Sequence, residues 1–236
     1  MRFLILIPTF NESENISRLL ESISNFRENF EIKFDLLVID DNSPDGTALT
    51  VSGLNLPFVH VLQRKTKDGL GKAYLAGFNW AKNNSYDFVI EMDADFSHRV
   101  EDLPGLLRAS PDLALVIGSR WIVGGKIVNW PIHRVLISKI GNIYAQKLLG
   151  LKQKDLTSGF RRLSVKTLDS IPLDEVITSG YGFQIEMVYK FHKLKQKIVE
   201  IPITFVERER GESKMTSRIA LEAFINVARM AFGRLR

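Results

Sequence analysis

Two aspartates one residue apart, Asp93 and Asp95, follow a run of apolar side chains in "VIEMDADFSH". Their oxygens suit Mg2+ or Mn2+, ions commonly held by one or two carboxylates and completed by substrate phosphates and water. A pair with this spacing is equally consistent with a turn, because short polar side chains bond their own backbone. A second acidic pair, Asp40 and Asp41, opens "DDNSPDGT". Asn42, Pro44 and Gly46 already supply turn chemistry there, so one of the two carboxylates is a candidate to bond a base or ribose edge. Arg120 and Arg134 flank "GSRWIVGGKIVNWPIHR", while Arg208, Arg210 and Lys214 punctuate "ERERGESKM". A guanidinium fork matches phosphate oxygens and an ammonium acts as a compact point charge. With its glycine and Ser213, the second segment reads as a loop able to close over an anion. "KDGLGKA" lacks the spacing of a phosphate loop and reads as a helix start.

These residues need elements to carry them. Short β-branched apolar runs predict strands at Phe3 to Ile7, Leu36 to Ile39, Val59 to Leu62, Phe88 to Met92, Leu113 to Ile117 and Val199 to Phe205. Ile16, Leu19, Leu20 and Ile23 keep helical spacing, with Thr9 and Glu12 in capping-box order before them. Leu70, Ala73, Tyr74, Gly77 and Ala81 form another core-facing stripe. The alternation predicts an α/β protein with a mostly parallel sheet flanked by helices. Strands one, two and four all end in polar residues, and in an open α/β sheet ligands bind beyond the carboxyl ends of the strands. Further helices are expected from about Val135 to Leu149 and from about Ser217 onward. No linker, repeat or low-complexity tract divides the 236 residues, so a single domain is expected.

The absence of cysteine excludes disulfides and thiolate metal sites, and four scattered histidines argue against a zinc centre. The opening "MRFLILIPTFNESEN" has an apolar run too short for a signal peptide and reads as the first strand of a cytoplasmic protein. No apolar run reaches the roughly 18 residues of a membrane span. The net charge of +5 fits phosphates, anionic lipid or nucleic acid without choosing among them. No aromatic residues interleave a basic strip as single-stranded nucleic acid would require, so nucleic acid is not an expected partner.

The ordered set "IPTFNESEN", "VIDDNSPDGT", "KDGLGKAYLAGF", "EMDADFSH", "IGSRW", "NWPIHRVLIS", "DLTSGFRR", "GYGFQIEM" and "IPITFVERERGESKM" resembles glycosyltransferase family 2, in particular its polyprenol-phosphate (dolichyl-phosphate) mannose synthases. The resemblance runs from Pro8 to about Met215. It implies a GT-A fold, a divalent Mg2+ or Mn2+, GDP-mannose as donor and a polyprenyl phosphate as acceptor. By position, Pro8, Phe10 and Glu12 would line the nucleoside pocket, with Ile39 and Asp41 at the base or ribose. Asp93, Ala94 and Asp95 match the metal and diphosphate motif, with Asp93 and Asp95 as ligands. Arg120, Arg208 and Lys214 match phosphate-facing basic residues, and Arg134 with Ser138 match acceptor-phosphate positions. Asp95, Arg120 and Arg134 are thus the expected catalytic set. The implied organisation is a nucleotide-binding half at 1–118, an acceptor and late-loop half at 119–215, and a C-terminal amphipathic helix at 216–236. Phe10 stands where many members have tyrosine. Ser97 stands where some have a metal-holding glutamine, which leaves a third protein ligand open.

A phosphate monoester with a second pKa of about 6 is already largely a dianionic nucleophile at neutral pH, so inverting transfer would need no strong general base. A lipid acceptor also requires a membrane surface. The segment with Leu136, Ile137, Ile140, Tyr144 and Leu148 beside Lys139 and Lys147, and the terminal one with Phe224, Val227, Ala228, Ala231 and Leu235 beside Arg229, Arg234 and Arg236, suit peripheral binding to the cytoplasmic face. A membrane-anchoring partner subunit is the other route. The competing readings are a polyprenyl-phosphate glucosyltransferase using UDP-glucose, a sugar nucleotidyltransferase, and a non-catalytic module binding lipid phosphate or nucleic acid. The nucleotidyltransferase would carry a glycine-rich loop where this chain has "IPTFNE".

Overall fold

The computed structural model describes residues 1–176, 178, 180–207 and 217–233. In chain order the strands are β1 (Phe3–Thr9), β2 (Asp35–Asp40), β3 (Val59–Gln63), β4 (Phe88–Glu91), β5 (Leu115–Ser119), β6 (Lys126–Val128), β7 (Arg161–Ser164), β8 (Ile198–Pro202) and β9 (Thr204–Val206). The helices are α1 (Ser13–Asn29), α2 (Thr47–Gly53), α3 (Leu70–Asn83), α4 (Leu103–Leu107), α5 (Ile132–Leu149), α6 (Val165–Leu168), α7 (Gly180–Lys193) and α8 (Ser217–Ala231).

Seven strands form one sheet in the order β3-β2-β1-β4-β7-β5-β8, and β6 pairs with β9 beside it. All pairings in the large sheet are parallel except those of β7, which runs against both β4 and β5. The carboxyl ends of β1, β2, β4 and β5 therefore lie along one edge, which is also where the antiparallel β7 begins. Strand β1 leads through α1 to β2 on one side while β4 lies on its other side, the kind of switch point at which an open α/β sheet leaves a crevice. Two buried layers sandwich the sheet. Ile16, Leu19, Leu20 and Ile23 of α1 join Ile5, Ile7 and Ile90 on one face, and Tyr74, Phe78 and Phe183 join Leu4, Leu6 and Leu37 on the other. Gly77 in α3 permits this close approach, since a Cβ there would lie 2.7 Å from Ile39.

Three expectations require correction. The capping box does not form: α1 begins at Ser13 with Glu12 at its N-cap, and no side chain caps it from that position. Thr9 Oγ1 donates instead to Asp40 Oδ1 at 3.1 Å, and the Ser13 amide is taken by Asp45 Oδ2 of the neighbouring loop at 3.0 Å. Burial would raise the Asp45 carboxyl, but bonds from Thr47 and Ser13 outweigh it and bring it down to about 2. The strand expected from Val199 to Phe205 is two strands, broken where Ile203 turns into the core at 2 % exposure. Finally, α5 starts three residues earlier than expected, because Pro131 at its N-cap needs no amide partner and sets the helix entry.

Strand β7 was not foreseen. Arg161 and Arg162 are buried in mid-sheet, a place a charged pair would normally forbid. Backbone carbonyls take up most of their donors: Arg161 donates to the Ser158 and Gln184 carbonyls and faces Glu91 at 3.5 Å, and Arg162 donates through Nη1 and Nη2 to the Ala109 and Ser110 carbonyls, its Nε alone staying buried without a partner among the described residues. Burial outweighs Arg161 at Glu91 and pushes its carboxyl up to about 7.

Candidate active site

The strand edge assembles most of the acidic residues singled out above. Pro8 and Thr9 of β1 stand in register with Ile39 and Asp40 of β2, so Phe10 and Asp41 leave the sheet side by side. The two aspartates of the pair then divide. Asp40 is fully buried and braces the turn, accepting from Thr9 Oγ1, Ser43 Oγ and the Ser43 amide. Asp41 faces Arg64, whose Nη1 donates to its Oδ1 at 2.7 Å. Burial raises the Asp41 carboxyl despite that partner and nearby Lys67. Arg64 also pairs with Asp68, and Lys67 Nζ sits 3.7 Å over the ring of Phe10. Neither Arg64 nor Lys67 was singled out from the sequence; the basic run "QRKTKDG" at the end of a third strand was the available signal. Glu12 accepts a bond from Asn15 at 3.0 Å and donates its amide to Thr47 Oγ1.

After β4, the chain makes a tight turn closed twice. The Asp93 amide donates to His98 Nδ1 at 3.0 Å, and Asp95 Oδ1 accepts both the amide and the hydroxyl of Ser97, the latter at 2.6 Å. Phe96 takes a left-handed φ of 62° to allow this closure, and Ala94 is buried beneath it. His98 is buried against Phe160, with ring centroids 5.0 Å apart, and burial lowers it to about 4, so its neutral Nδ1 accepts the amide proton. Ser97 therefore braces Asp95.

Whether this turn fits a metal can be judged from its donors and its room. The Asp93 side chain is 36 % exposed, and Gly159 leaves a space beside it that a Cβ would narrow, coming 3.6 Å from Oδ1 and 3.7 Å from Oδ2. Among the described residues no group of three or more His, Asp or Glu side chains could hold a metal. Two carboxylates with space before them fit Mg2+ or Mn2+ that takes its remaining ligands from substrate phosphate and water.

Arg120, at the end of β5, reaches the same edge but is drawn inward. Its Nε and Nη2 each meet one oxygen of Asp155 at 2.7 Å, and Nη2 also donates to Thr157 Oγ1. Burial would raise Asp155, but Arg120 holds it below the usual carboxylate range. Asn142 of α5 secures this loop, donating to Thr157 Oγ1 and accepting the Leu156 amide. Arg134, in the first turn of α5, lies with its guanidinium 4.0 Å over the Trp130 ring, and Nη1 donates to both oxygens of Glu207 at 2.7 and 2.6 Å.

Both arginines line a cavity of about 290 Å³ between α5, α7 and α8. Ser138, one turn beyond Arg134, is on its wall, and Ile137, Tyr144, Ile185, Phe224 and Val227 make the rest largely apolar. Tyr144 and Phe224 stack at 3.9 Å where α5 meets α8. Buried donors without hydrogen-bond partners among the described residues include Arg134 Nε and Trp130 Nε1. Such a donor costs on the order of 1–3 kcal/mol, which an anionic ligand entering the cavity could recover. The structure thus brings Asp93, Asp95, Asp41 and Phe10 to the strand edge, and Arg120, Arg134 and Ser138 to the cavity. Arg208 and Lys214 lie outside the described residues.

The sequence matches the family description "Glycosyl transferase family 2" over residues 4–171. The chain belongs to glycosyltransferase family 2. Family relatives include the undecaprenyl-phosphate mannosyltransferase of Micrococcus luteus, 48% identical with 97% of this chain and 93% of that protein covered. The polyprenol monophosphomannose synthase of Mycolicibacterium smegmatis is 42% identical, covering 96% and 86%. The dolichol-phosphate mannosyltransferase of Pyrococcus furiosus is 35% identical over 98% of this chain and 64% of that longer protein. Among solved structures, glucosyl-3-phosphoglycerate synthase from Mycobacterium tuberculosis in complex with uridine diphosphate aligns with a TM-score of 0.70 at 18% identity, over 98% of this chain and 80% of that one. The same synthase with Mn2+, UDP-glucose and phosphoglyceric acid gives 0.69 at 19% identity, over 98% and 80%. At that identity the likeness establishes the fold: this family 2 member has a single-domain GT-A architecture.

Proposed function

We propose that the protein transfers mannose from GDP-mannose to a polyprenyl phosphate with inversion, giving a β-linked polyprenyl mannosyl phosphate. The observation that carries this reading is the juxtaposition of a carboxylate-lined strand edge with an apolar cavity whose wall holds Arg120, Arg134 and Ser138. A water-soluble acceptor would have no use for Ile137, Tyr144, Phe224 and Val227 beside its phosphate site; an isoprenoid chain does. The names of the relatives at 42% and 48% identity support the same sugar and the same class of acceptor.

In this reading residues 1–118 bind the donor, 119–215 the acceptor, and 216–236 close the acceptor side. Asp41 accepts from the base or ribose, while Pro8, Phe10, Glu12 and Ile39 shape the nucleoside pocket. Asp93 and Asp95 would hold Mg2+ or Mn2+, which when bound supplies neutralising charge to the diphosphate leaving group. Ala94 keeps the turn small, and Arg208 and Lys214 add charge toward the diphosphate. Arg134 and Ser138 hold the acceptor phosphate, and Arg120 orders the cavity wall beside them through Asp155 and Thr157. The acceptor is a dianion above about pH 6, so placement and charge compensation carry the reaction without a base.

Among the described residues no helix is long and apolar enough to cross a membrane. Ile132, Leu136, Ile140 and Ile143 nevertheless form an exposed apolar stripe along α5, Ile140 also lining the cavity, and Lys139 and Lys147 are exposed on the same helix. That face suits peripheral docking on the cytoplasmic leaflet, directly or with a membrane-anchoring subunit. The deciding experiment offers radiolabelled GDP-mannose or UDP-glucose with undecaprenyl phosphate, with and without Mn2+. A lipid-extractable product is expected from GDP-mannose and metal alone; glucosyl lipid from UDP-glucose would overturn the donor assignment, and binding without turnover the enzyme itself.

A further inference from the structure

Arg134 is fixed from two directions that the sequence did not reveal. Its flat face rests on Trp130, and both oxygens of Glu207 converge on a single nitrogen, Nη1. Asp155 engages Arg120 differently, with separate oxygens on Nε and Nη2. Glu207 consequently leaves the Nε of Arg134 alone, and that buried Nε makes no hydrogen bond among the described residues. Glu207 itself is anchored, because its amide donates to the Val128 carbonyl at 3.0 Å, immediately beyond the β6–β9 pair. A carboxylate carried on a pinned backbone, gripping one end of a guanidinium stacked on an indole, leaves the other N–H edge a narrow choice of directions.

We propose that Glu207 is a positioning residue for the acceptor: by holding Nη1, it turns the Nε edge of Arg134 toward the phosphate of the polyprenyl phosphate. The inference rests on the acceptor reading above. An arginine without this tether samples many rotamers and loses that freedom when it binds an anion, so fixing it beforehand strengthens binding. A carboxylate that merely competed with the phosphate for Arg134 would act with the opposite sign, and the two are separable.

The test measures donor and acceptor KM, with GDP-mannose and a short-chain polyprenyl phosphate, for the wild type, Glu207→Ala, Glu207→Gln, Arg134→Ala and the double alanine variant. Glu207→Ala is expected to raise acceptor KM about tenfold and leave donor KM unchanged. In Glu207→Gln the amide oxygen accepts the same Nη1 bond, and acceptor KM should return to within about threefold of wild type. The double variant should match Arg134→Ala alone, since Glu207 acts only through Arg134. Melting curves confirm that each variant folds. A lowered or unchanged acceptor KM in folded Glu207→Ala, or no rescue by glutamine, overturns the inference and leaves the acceptor site standing. An unchanged acceptor KM in Arg134→Ala removes the acceptor site and the inference with it.

Discussion

Arg120 and Arg134 line the same cavity, both have their guanidinium near Trp130, and both pair with a carboxylate, yet their settings differ. In the Arg120 pair the side chains of Arg120 and Asp155 are 4% and 0% exposed, and the arginine turns its Nε and Nη2 edge into the protein. In the Arg134 pair the values are 13% and 26%, and among the described residues only Nη1 is hydrogen-bonded. The first arrangement fixes a loop, because Asp155 and Thr157 precede β7 and Gly159 lies against Asp93. The second leaves one buried donor, Nε, without a hydrogen-bond partner among the described residues. Two arginines that line one cavity are thereby set apart, one locked on both Nε and Nη2 within the protein and one held by Nη1 alone.

Removing one partner of a buried pair separates these roles most sharply. Arg120→Ala strands the Asp155 carboxylate and should cost about 3–5 kcal/mol, lowering the melting temperature by roughly 10 °C. A melting temperature close to wild type would place Arg120 with Arg134. Arg134→Ala should instead raise acceptor KM by about 10- to 100-fold, with donor KM and melting temperature little changed, as expected for loss of a charge-assisted bond. A large fall in stability would move Arg134 into the structural class.

The pH dependence of stability offers a finer distinction. The folded Asp155 carboxyl lies below its ordinary 3.8, so its pairing stabilises the fold above that value and the contribution is lost as pH falls through the folded pKa. The difference in melting temperature between wild type and Asp155→Asn should therefore be flat at neutral pH and narrow below about pH 4. Ser138→Ala is expected to have the smallest effect, raising acceptor KM about fivefold through loss of a single hydrogen bond from an uncharged donor. No change there would confine the acceptor contact to Arg134.

Much of the carboxylate-bearing strand edge was legible because its determinants are local. Apolar runs ending in "DDNSPDGT" and "DADFSH" placed Asp41, Asp93 and Asp95 at strand ends, and the parallel sheet brings those ends together. What sequence could not supply were partners distant along the chain. Asp155 meets Arg120 across 35 residues and Glu207 meets Arg134 across 73. Strand β7 was hidden for a related reason: Arg161 and Arg162 look like surface residues until the carbonyls of Ser158, Gln184, Ala109 and Ser110 are seen to receive them. The Thr9 and Glu12 capping signature misled because Asp40 took the threonine hydroxyl first.

The account centres on a donor at the strand edge and a lipid acceptor between α5 and α8. Its most direct test is a polyprenyl phosphate carrying a photoreactive group in its first isoprene units, cross-linked to the protein and located by mass spectrometry. Labelling is predicted on α5 around Ile137 to Tyr144 and on α8 around Ala223 to Val227, reduced by competing polyprenyl phosphate. Labelling confined to the helices α1 and α3 beside the nucleotide edge, with α5 and α8 untouched, would contradict it.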